Sequence, residues 1–79
     1  MVQRTTADEK LPRSELAAYL ATLAEEFDGD AEEINVGVGN KTVSLNPAAE
    51  VDVSIDVVER SSMLRGNRET IEIELSWKS

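Results

Sequence analysis

The spacing of hydrophobic residues changes once along the chain, from a helical period to a strand period. Between Leu11 and Asp28 the apolar positions recur every three or four residues, which predicts one amphipathic helix with its regular part over residues 14–28. We expect Ser14 to be the N-cap, because its hydroxyl can accept a hydrogen bond from a free amide in the first turn. Gly29 predicts the helix end, since glycine readily adopts the left-handed conformation. The apolar stripe of the helix consists of Leu16, Leu20, Leu23 and Phe27, flanked by Tyr19 and Ala24.

From Ile34 onward, apolar residues occupy alternate positions, which is the period of a β-strand. Gly39 and Asn40 interrupt the alternation and predict a two-residue hairpin turn, because both residue types tolerate positive φ. The register that this turn implies has the pairs Val38–Lys41, Val36–Val43 and Ile34–Leu45. Both strands then place their apolar residues on one face, as a half-buried sheet requires.

Two longer strands are predicted after the break at residues 46–49. The first has apolar residues at every second position from Val51 to Val57, and the second, over residues 69–78, carries the only tryptophan of the chain near its end. If Val57 pairs with Ile71, the two strands share one apolar face and one polar face. The carboxylates expected on that polar face are Asp52, Asp56, Glu72 and Glu74.

These elements predict an α+β fold with two layers, in which one amphipathic helix packs on an antiparallel β-meander of four or five strands. The whole chain, residues 1–79, is expected to be a single domain with its predicted strands between residues 34 and 77. Residues 1–10 either add a short edge strand or form a loose N-terminus, and the edge strand is the favoured alternative. The apolar side of the meander, including Trp77, is expected to lie beneath the helix.

The charge balance argues against several classes of partner. Sixteen acidic and eight basic residues give a net charge of −8, which repels nucleic acid and anionic membrane surfaces at long range. No apolar run approaches the roughly 18 residues that cross a membrane, and the first ten residues are too polar for a signal peptide. A cytoplasmic protein that binds neither nucleic acid nor membrane is therefore expected.

The absence of histidine and cysteine argues against catalysis. These two residue types supply the commonest catalytic base, the commonest zinc ligands and the Cys/His nucleophile systems. The carboxylates of the polar face are weak metal candidates, and they lie on a flat sheet without a predicted pocket to desolvate them. We therefore expect a non-enzymatic protein without a cofactor.

The same composition, acidic and poor in lysine, is found in proteins of salt-loving archaea, and an ordinary acidic protein is the alternative. Carboxylates directly opposite each other across a sheet are destabilising, and counter-ions screen this repulsion. The stability of the protein is therefore expected to rise with salt.

Two features are candidate binding sites. The segment from Arg60 to Arg68 holds three of the eight basic residues within nine positions. A planar guanidinium recognises carboxylates and phosphates, so this loop is a candidate for gripping an anion or another subunit. Trp77 is expected in the core, with a role at an interface or as a ligand-stacking surface as the alternative. The candidate contact residues are Arg60, Met63, Arg65, Arg68 and Trp77.

Two segments together resemble the amphi-Trp domain, a family that is named for an amphipathic last strand ending in tryptophan and is found especially among haloarchaea. They are the helix segment Ser-Glu-Leu-Ala-Ala-Tyr-Leu-Ala-Thr-Leu-Ala-Glu-Glu-Phe, starting at Ser14, and the closing Glu-Ile-Glu-Leu-Ser-Trp, ending at Trp77. The resemblance extends from about Ser14 to Lys78. It supports a halophilic origin and implies no reaction and no catalytic residues.

These observations favour a salt-adapted binding or interaction domain that associates with a protein partner, or with itself, through a sheet edge or face. The alternative is a small-ligand binder that holds an anion among Arg60, Arg65 and Arg68.

Overall fold

The computed structural model describes residues 2–78, in which one α-helix and four antiparallel β-strands confirm the α+β class. The elements are α1 (Arg13–Asp28), β1 (Ile34–Val38), β2 (Lys41–Leu45), β3 (Asp52–Arg60) and β4 (Arg68–Ser76). The strands form two two-stranded sheets, β1–β2 and β3–β4. The chain divides into two compact units, one ending at Asn46 and the other beginning at Pro47. The single domain stays a prediction.

Helix α1 begins at Arg13, one residue before the predicted N-cap. Pro12 occupies the N-cap position with φ −59° and ψ 152°, and no side chain caps the helix there. Its carbonyl accepts hydrogen bonds from the amides of Glu15 at 3.1 Å and Leu16 at 3.0 Å. The N-cap prediction for Ser14 is wrong because proline, which has no amide to satisfy and a fixed φ, already directs the chain into the helix.

The end of α1 also differs from the prediction. Gly29 follows the last helical residue, but its φ of −75° and ψ of 168° are extended rather than left-handed. The chain therefore leaves the helix directly into the connector that leads to Ile34. Any residue can adopt this conformation, so the glycine is not required here for its backbone freedom.

The β1–β2 hairpin has the predicted register, with Ile34 opposite Leu45 and Val38 opposite Lys41. Gly39 has a φ of +62°, and among the described residues no residue other than glycine has positive φ. A positive φ at the first turn position alone is typical of a type II′ turn, whose twist suits the flanking strands. Ile34 is 1% exposed and is the most deeply buried hydrophobic residue described in the chain.

The β3–β4 hairpin has the register that the sequence analysis takes as a condition, which the loop between the strands does not fix by itself. Val57 lies opposite Ile71, and Asp56 lies opposite Glu72. The strand ends at Ser76, so Trp77 lies one residue beyond β4 rather than inside it. The burial differs from the expectation, because the apolar residues of β3 and β4 that were predicted to lie in the core are exposed. Two strands form a single layer, and a single layer cannot cover its own face.

Residues 2–12 contain no strand, so the predicted N-terminal edge strand is wrong. This segment nevertheless lies against the first hairpin, because a Cβ added to Gly39 would come within 3.2 Å of the Ala7 Cβ. The outward edge of β1 is occupied at Asn35 and Gly37 by side chains of α1. Its main-chain groups there are therefore already engaged, which gives a physical reason why the N-terminal segment adds no strand to β1.

No helix within residues 2–78 combines the length and the apolar character that a membrane span requires.

Candidate interaction surfaces

One face of the β3–β4 hairpin is apolar and exposed. We call it the apolar face, and its exposed fractions are Val53 59%, Ile55 65%, Val57 63%, Ile71 69%, Ile73 57% and Leu75 37%. The alternation of the sequence places these side chains together because paired strands keep the same parity across the ladder. Contiguous apolar surface of this kind marks interaction sites in soluble proteins.

The opposite face of the same hairpin, the outer face, is polar. Asp56 and Glu72 lie directly opposite each other, and Ser54 lies opposite Glu74. An open depression of about 400 Å³ is lined here by residues of both strands, including these three carboxylates. Within residues 2–78 no group of three acidic side chains converges closely enough to hold a metal ion. The three carboxylates are exposed and form a charged surface.

The arginines of the predicted loop separate into two places. Arg60 and Arg68 end the two strands and lie directly opposite each other on the outer face. They line an open hollow of about 240 Å³ with Val58, Thr70 and Glu72. Like charges opposite each other repel, and an anion between them would relieve that repulsion. Arg65 instead lies in the turn between the strands and does not line the hollow.

The turn between β3 and β4 presents two apolar side chains to solvent. The amides of Leu64 and Arg65 donate to the Ser62 Oγ at 3.3 and 3.1 Å, and the Gly66 amide donates to the Ser62 carbonyl at 3.0 Å. These bonds fix a tight turn that Gly66 closes with a φ of +76°. Met63 and Leu64 are fully exposed and point away from it. Of these two, the sequence analysis names Met63 as a candidate contact residue, and Leu64 is exposed beside it.

Trp77 is partly buried just past the end of β4. Its position continues the parity of Ile73 and Leu75, so the apolar residues of the closing segment follow an alternating pattern that ends in tryptophan.

Comparison with known protein families assigns the chain that carries this pattern to one of them. The sequence model of the Amphi-Trp domain matches residues 2–79, nearly the entire chain. The chain belongs to the amphi-Trp domain family. No curated protein sequence and no solved structure matches it significantly. The resemblance that the helix and the last strand indicated is thereby confirmed, and it extends further toward the N-terminus than the helix motif alone.

Two helix residues of the amphi-Trp domain form hydrogen bonds to the edge of β1. The sequence analysis did not predict that they act together there. The Tyr19 hydroxyl donates to the Gly37 carbonyl at 2.8 Å, and the Asn35 amide donates to the Glu26 carboxylate at 2.7 Å. Tyr19 and Glu26 are seven residues apart, which places them on one face of a helix, two turns from each other. That spacing is the signal that could have identified them.

The amphi-Trp domain also has a half-open apolar cleft within its first unit. Its volume is about 210 Å³, and its lining residues are Ala7, Glu9, Leu11, Leu16, Tyr19, Gly37, Val38 and Gly39. For comparison, an engineered apolar cavity of roughly 150 Å³ accepts benzene. Glu9 is the one charged side chain of the lining. The N-terminal segment builds one wall, so a sequence pattern that leaves this segment loose cannot predict the cleft.

Proposed function

We propose that this amphi-Trp domain is a non-enzymatic interaction domain that associates with a second copy of itself through the apolar face. The observation that carries the proposal is the exposure of six apolar side chains on one side of the β3–β4 hairpin, three of them above 60%. Removing such surface from water stabilises an association by roughly 25 cal/mol per Å² of apolar area.

Two copies can cover each other's apolar faces by packing the hairpins face to face. Sheets packed in this way lie about 10 Å apart and interdigitate their inward side chains. The outer faces, with Asp56 and Glu72, then lie on the two opposite sides of the sandwich. This arrangement separates the outer-face carboxylates of the two copies while it buries the apolar residues. Glu59 and Glu69 have the parity of the apolar face and lie at its end next to the turn. Salt favours it further by screening the net charge of −8 on each chain.

The size of the apolar face limits the strength of this association. A nine-residue strand spans about 30 Å, and two paired strands are roughly 10 Å wide. Stable interfaces bury on the order of 800 Å² per partner, which exceeds what so narrow a face offers. We therefore expect a concentration-dependent dimer rather than an obligate one.

The two-layer arrangement with α1 across a four-stranded meander is the competing proposal for the same surface. It would cover the apolar face within one chain, so a monomer at all concentrations favours it over self-association. The two proposals predict different effects on the mass and the stability of the protein when apolar side chains are removed from this face.

The deciding experiment replaces Ile55 and Ile73 together by threonine. Threonine is also β-branched, so the strand preference is kept while apolar surface is removed. We expect the dissociation constant from sedimentation equilibrium in molar salt to rise at least about tenfold, because each lost apolar group contributes on the order of 1 kcal/mol.

The matched control is Ser54→Thr, which introduces the same residue at the neighbouring position on the outer face. It should leave the dissociation constant unchanged. A wild-type chain that stays monomeric up to millimolar concentration, and whose melting temperature falls in the Ile55/Ile73 variant, would overturn the self-association proposal.

A second candidate function has its own supporting observation. Arg60 and Arg68 face each other across the strand ends, which is the geometry for holding an anion between two guanidinium groups. We propose inorganic phosphate as the probe. Addition of phosphate should change the NMR chemical shifts of the Arg60 and Arg68 amides. The substitution Arg68→Gln should abolish these changes. Arg13→Gln, a charge removed at the start of α1, is the control. An equal loss of binding in both variants would mean general charge attraction and no site.

A further inference from the structure

The helix blocks one edge of the β1–β2 sheet. Asn35 donates its amide to Glu26, and Gly37 offers its carbonyl to Tyr19. Both groups therefore point away from β2, toward the helix. An unpaired strand edge is a template for another strand, and side chains that occupy its main-chain groups prevent such pairing. A partner strand is thus excluded from β1 at these positions.

The same two bonds establish which groups of β2 point outward. In an antiparallel pair, residues opposite each other either exchange both main-chain hydrogen bonds or both direct them away. Asn35 lies opposite Ser44 and Gly37 lies opposite Thr42. The main-chain N–H and C=O groups of Asn35 and Gly37 point away from β2. The main-chain groups of Thr42 and Ser44 therefore point away from β1, at the opposite edge of the sheet. Within residues 2–78, no main-chain hydrogen bond outside the regular elements involves either residue, and β2 has β1 as its strand neighbour.

The composition of this hairpin also sets it apart from the rest of the chain. Residues 34–49 contain no acidic residue, although the whole chain has sixteen. The one charged side chain of β2 is Lys41, at the turn end of the strand. Two copies can therefore approach each other along β2 without placing carboxylates of this strand in contact.

We infer that the outward edge of β2 pairs with the β2 edge of a second copy, antiparallel and centred on Val43. This register places Thr42 of one copy opposite Ser44 of the other, and the symmetry repeats the pair, giving about four main-chain hydrogen bonds. Val43 then lies beside Val43 of the second copy, on the face that carries Val36. The result is a four-stranded sheet in the order β1–β2–β2–β1.

This inference deepens the proposed self-association by adding a contact that does not use the apolar face. An isologous contact of this kind closes on itself, because each edge is its own complement. The strand is five residues long, so the edge alone provides a weak association that is populated at high protein concentration.

Amide hydrogen exchange of the full chain, followed by NMR at two concentrations, tests the inference. The amides of Thr42 and Ser44 should exchange rapidly in dilute solution and about tenfold more slowly at millimolar concentration. The Val43 amide, which belongs to the β1–β2 ladder, should be protected at both. Protection of Thr42 and Ser44 that does not depend on concentration would overturn the inference, since it would come from a strand of the same chain. An absence of protection at both concentrations would also overturn it.

Two variants at one position separate the edge from the side chain. Thr42→Pro removes the outward N–H, a change that strands tolerate on a free edge, and should abolish the concentration-dependent protection of Ser44. Thr42→Val keeps the N–H and should retain the concentration-dependent protection of Ser44. If the proline variant loses protection at Val43, its hairpin has not formed. The double variant Thr42→Glu/Ser44→Glu then serves instead, because it places carboxylates opposite each other across the proposed pair. Unchanged protection in that variant would contradict the inference.

The same measurement distinguishes this contact from the apolar face. The Ile55/Ile73 threonine variant should keep the concentration-dependent protection at Thr42 while it loses the association of the hairpin faces. Loss of both effects in that variant would show that the β2 edge makes no contact of its own.

Discussion

Gly39 is the residue at which backbone conformation and packing both restrict the side chain. Its φ of +62° is in the region that side chains disfavour, and an added Cβ would lie 3.2 Å from the Ala7 Cβ. Gly66 has a φ of +76° with nothing within 4 Å of such a Cβ, and Gly37 has neither restriction. Substitutions at these three glycines therefore distinguish the destabilisation caused by positive φ from the destabilisation caused by a close contact.

We predict that Gly39→Ala destabilises the protein most, Gly66→Ala less and Gly37→Ala least. The left-handed conformation costs a residue with a Cβ roughly 1–2 kcal/mol, and the contact with Ala7 adds to that only at Gly39. Gly37 lies in β1, where alanine loses less conformational freedom on folding than glycine does. Urea unfolding of the three variants measures the order. Equal destabilisation by Gly39→Ala and Gly66→Ala would show that the N-terminal segment does not pack on the turn.

At the residue scale, the sequence indicated which residue types are candidates for binding or capping, but it did not give their positions relative to one another. The arginines were grouped as one loop site, whereas Arg60 and Arg68 form a cross-strand pair and Arg65 lies in the turn. Their grouping depended on sequence proximity, and only the hairpin register separates them. Ser14 failed as an N-cap because the backbone of Pro12 starts the helix one residue earlier.

The two hairpins show how far apolar alternation constrains strand pairing: the turn predicted the β1–β2 register, whereas the β3–β4 register was assumed from the shared parity of the strands. Both registers agree with the alternation of apolar residues, even though seven residues separate β3 from β4. A shift by one residue would move every apolar side chain to the other face, so the pattern admits few registers. The same register places Asp56 directly opposite Glu72.

We predict that salt stabilises the β3–β4 hairpin through this pair. The melting temperature of the wild-type chain should rise from dilute buffer to molar salt, because counter-ions screen like charges. Glu72→Thr should raise it in dilute buffer and reduce the salt-dependent increase, since carboxylates facing each other destabilise a sheet by up to ~1 kcal/mol. Glu74→Thr is the control, because Ser54 lies opposite that position. A melting temperature that is insensitive to salt would contradict this prediction.

For the whole molecule, the sequence determined the class of fold, the family and the order of the elements. These follow from local physics: the helical and strand periods, the turn-forming Gly39, and an alternating last segment that ends in Trp77. They depend on residues close together in the chain, or on pairing that alternation alone constrains. The net charge of −8 was equally fixed by composition.

Only the tertiary structure decided which edges and faces are occupied. Tyr19 and Glu26 engage the outward groups of β1, and the N-terminal segment packs at Gly39 without forming a strand. Periodicity assigns a side chain to a face, but burial depends on what lies against that face. The apolar residues of β3 and β4 therefore have the predicted parity, while their exposure is a property that the alternation by itself cannot give.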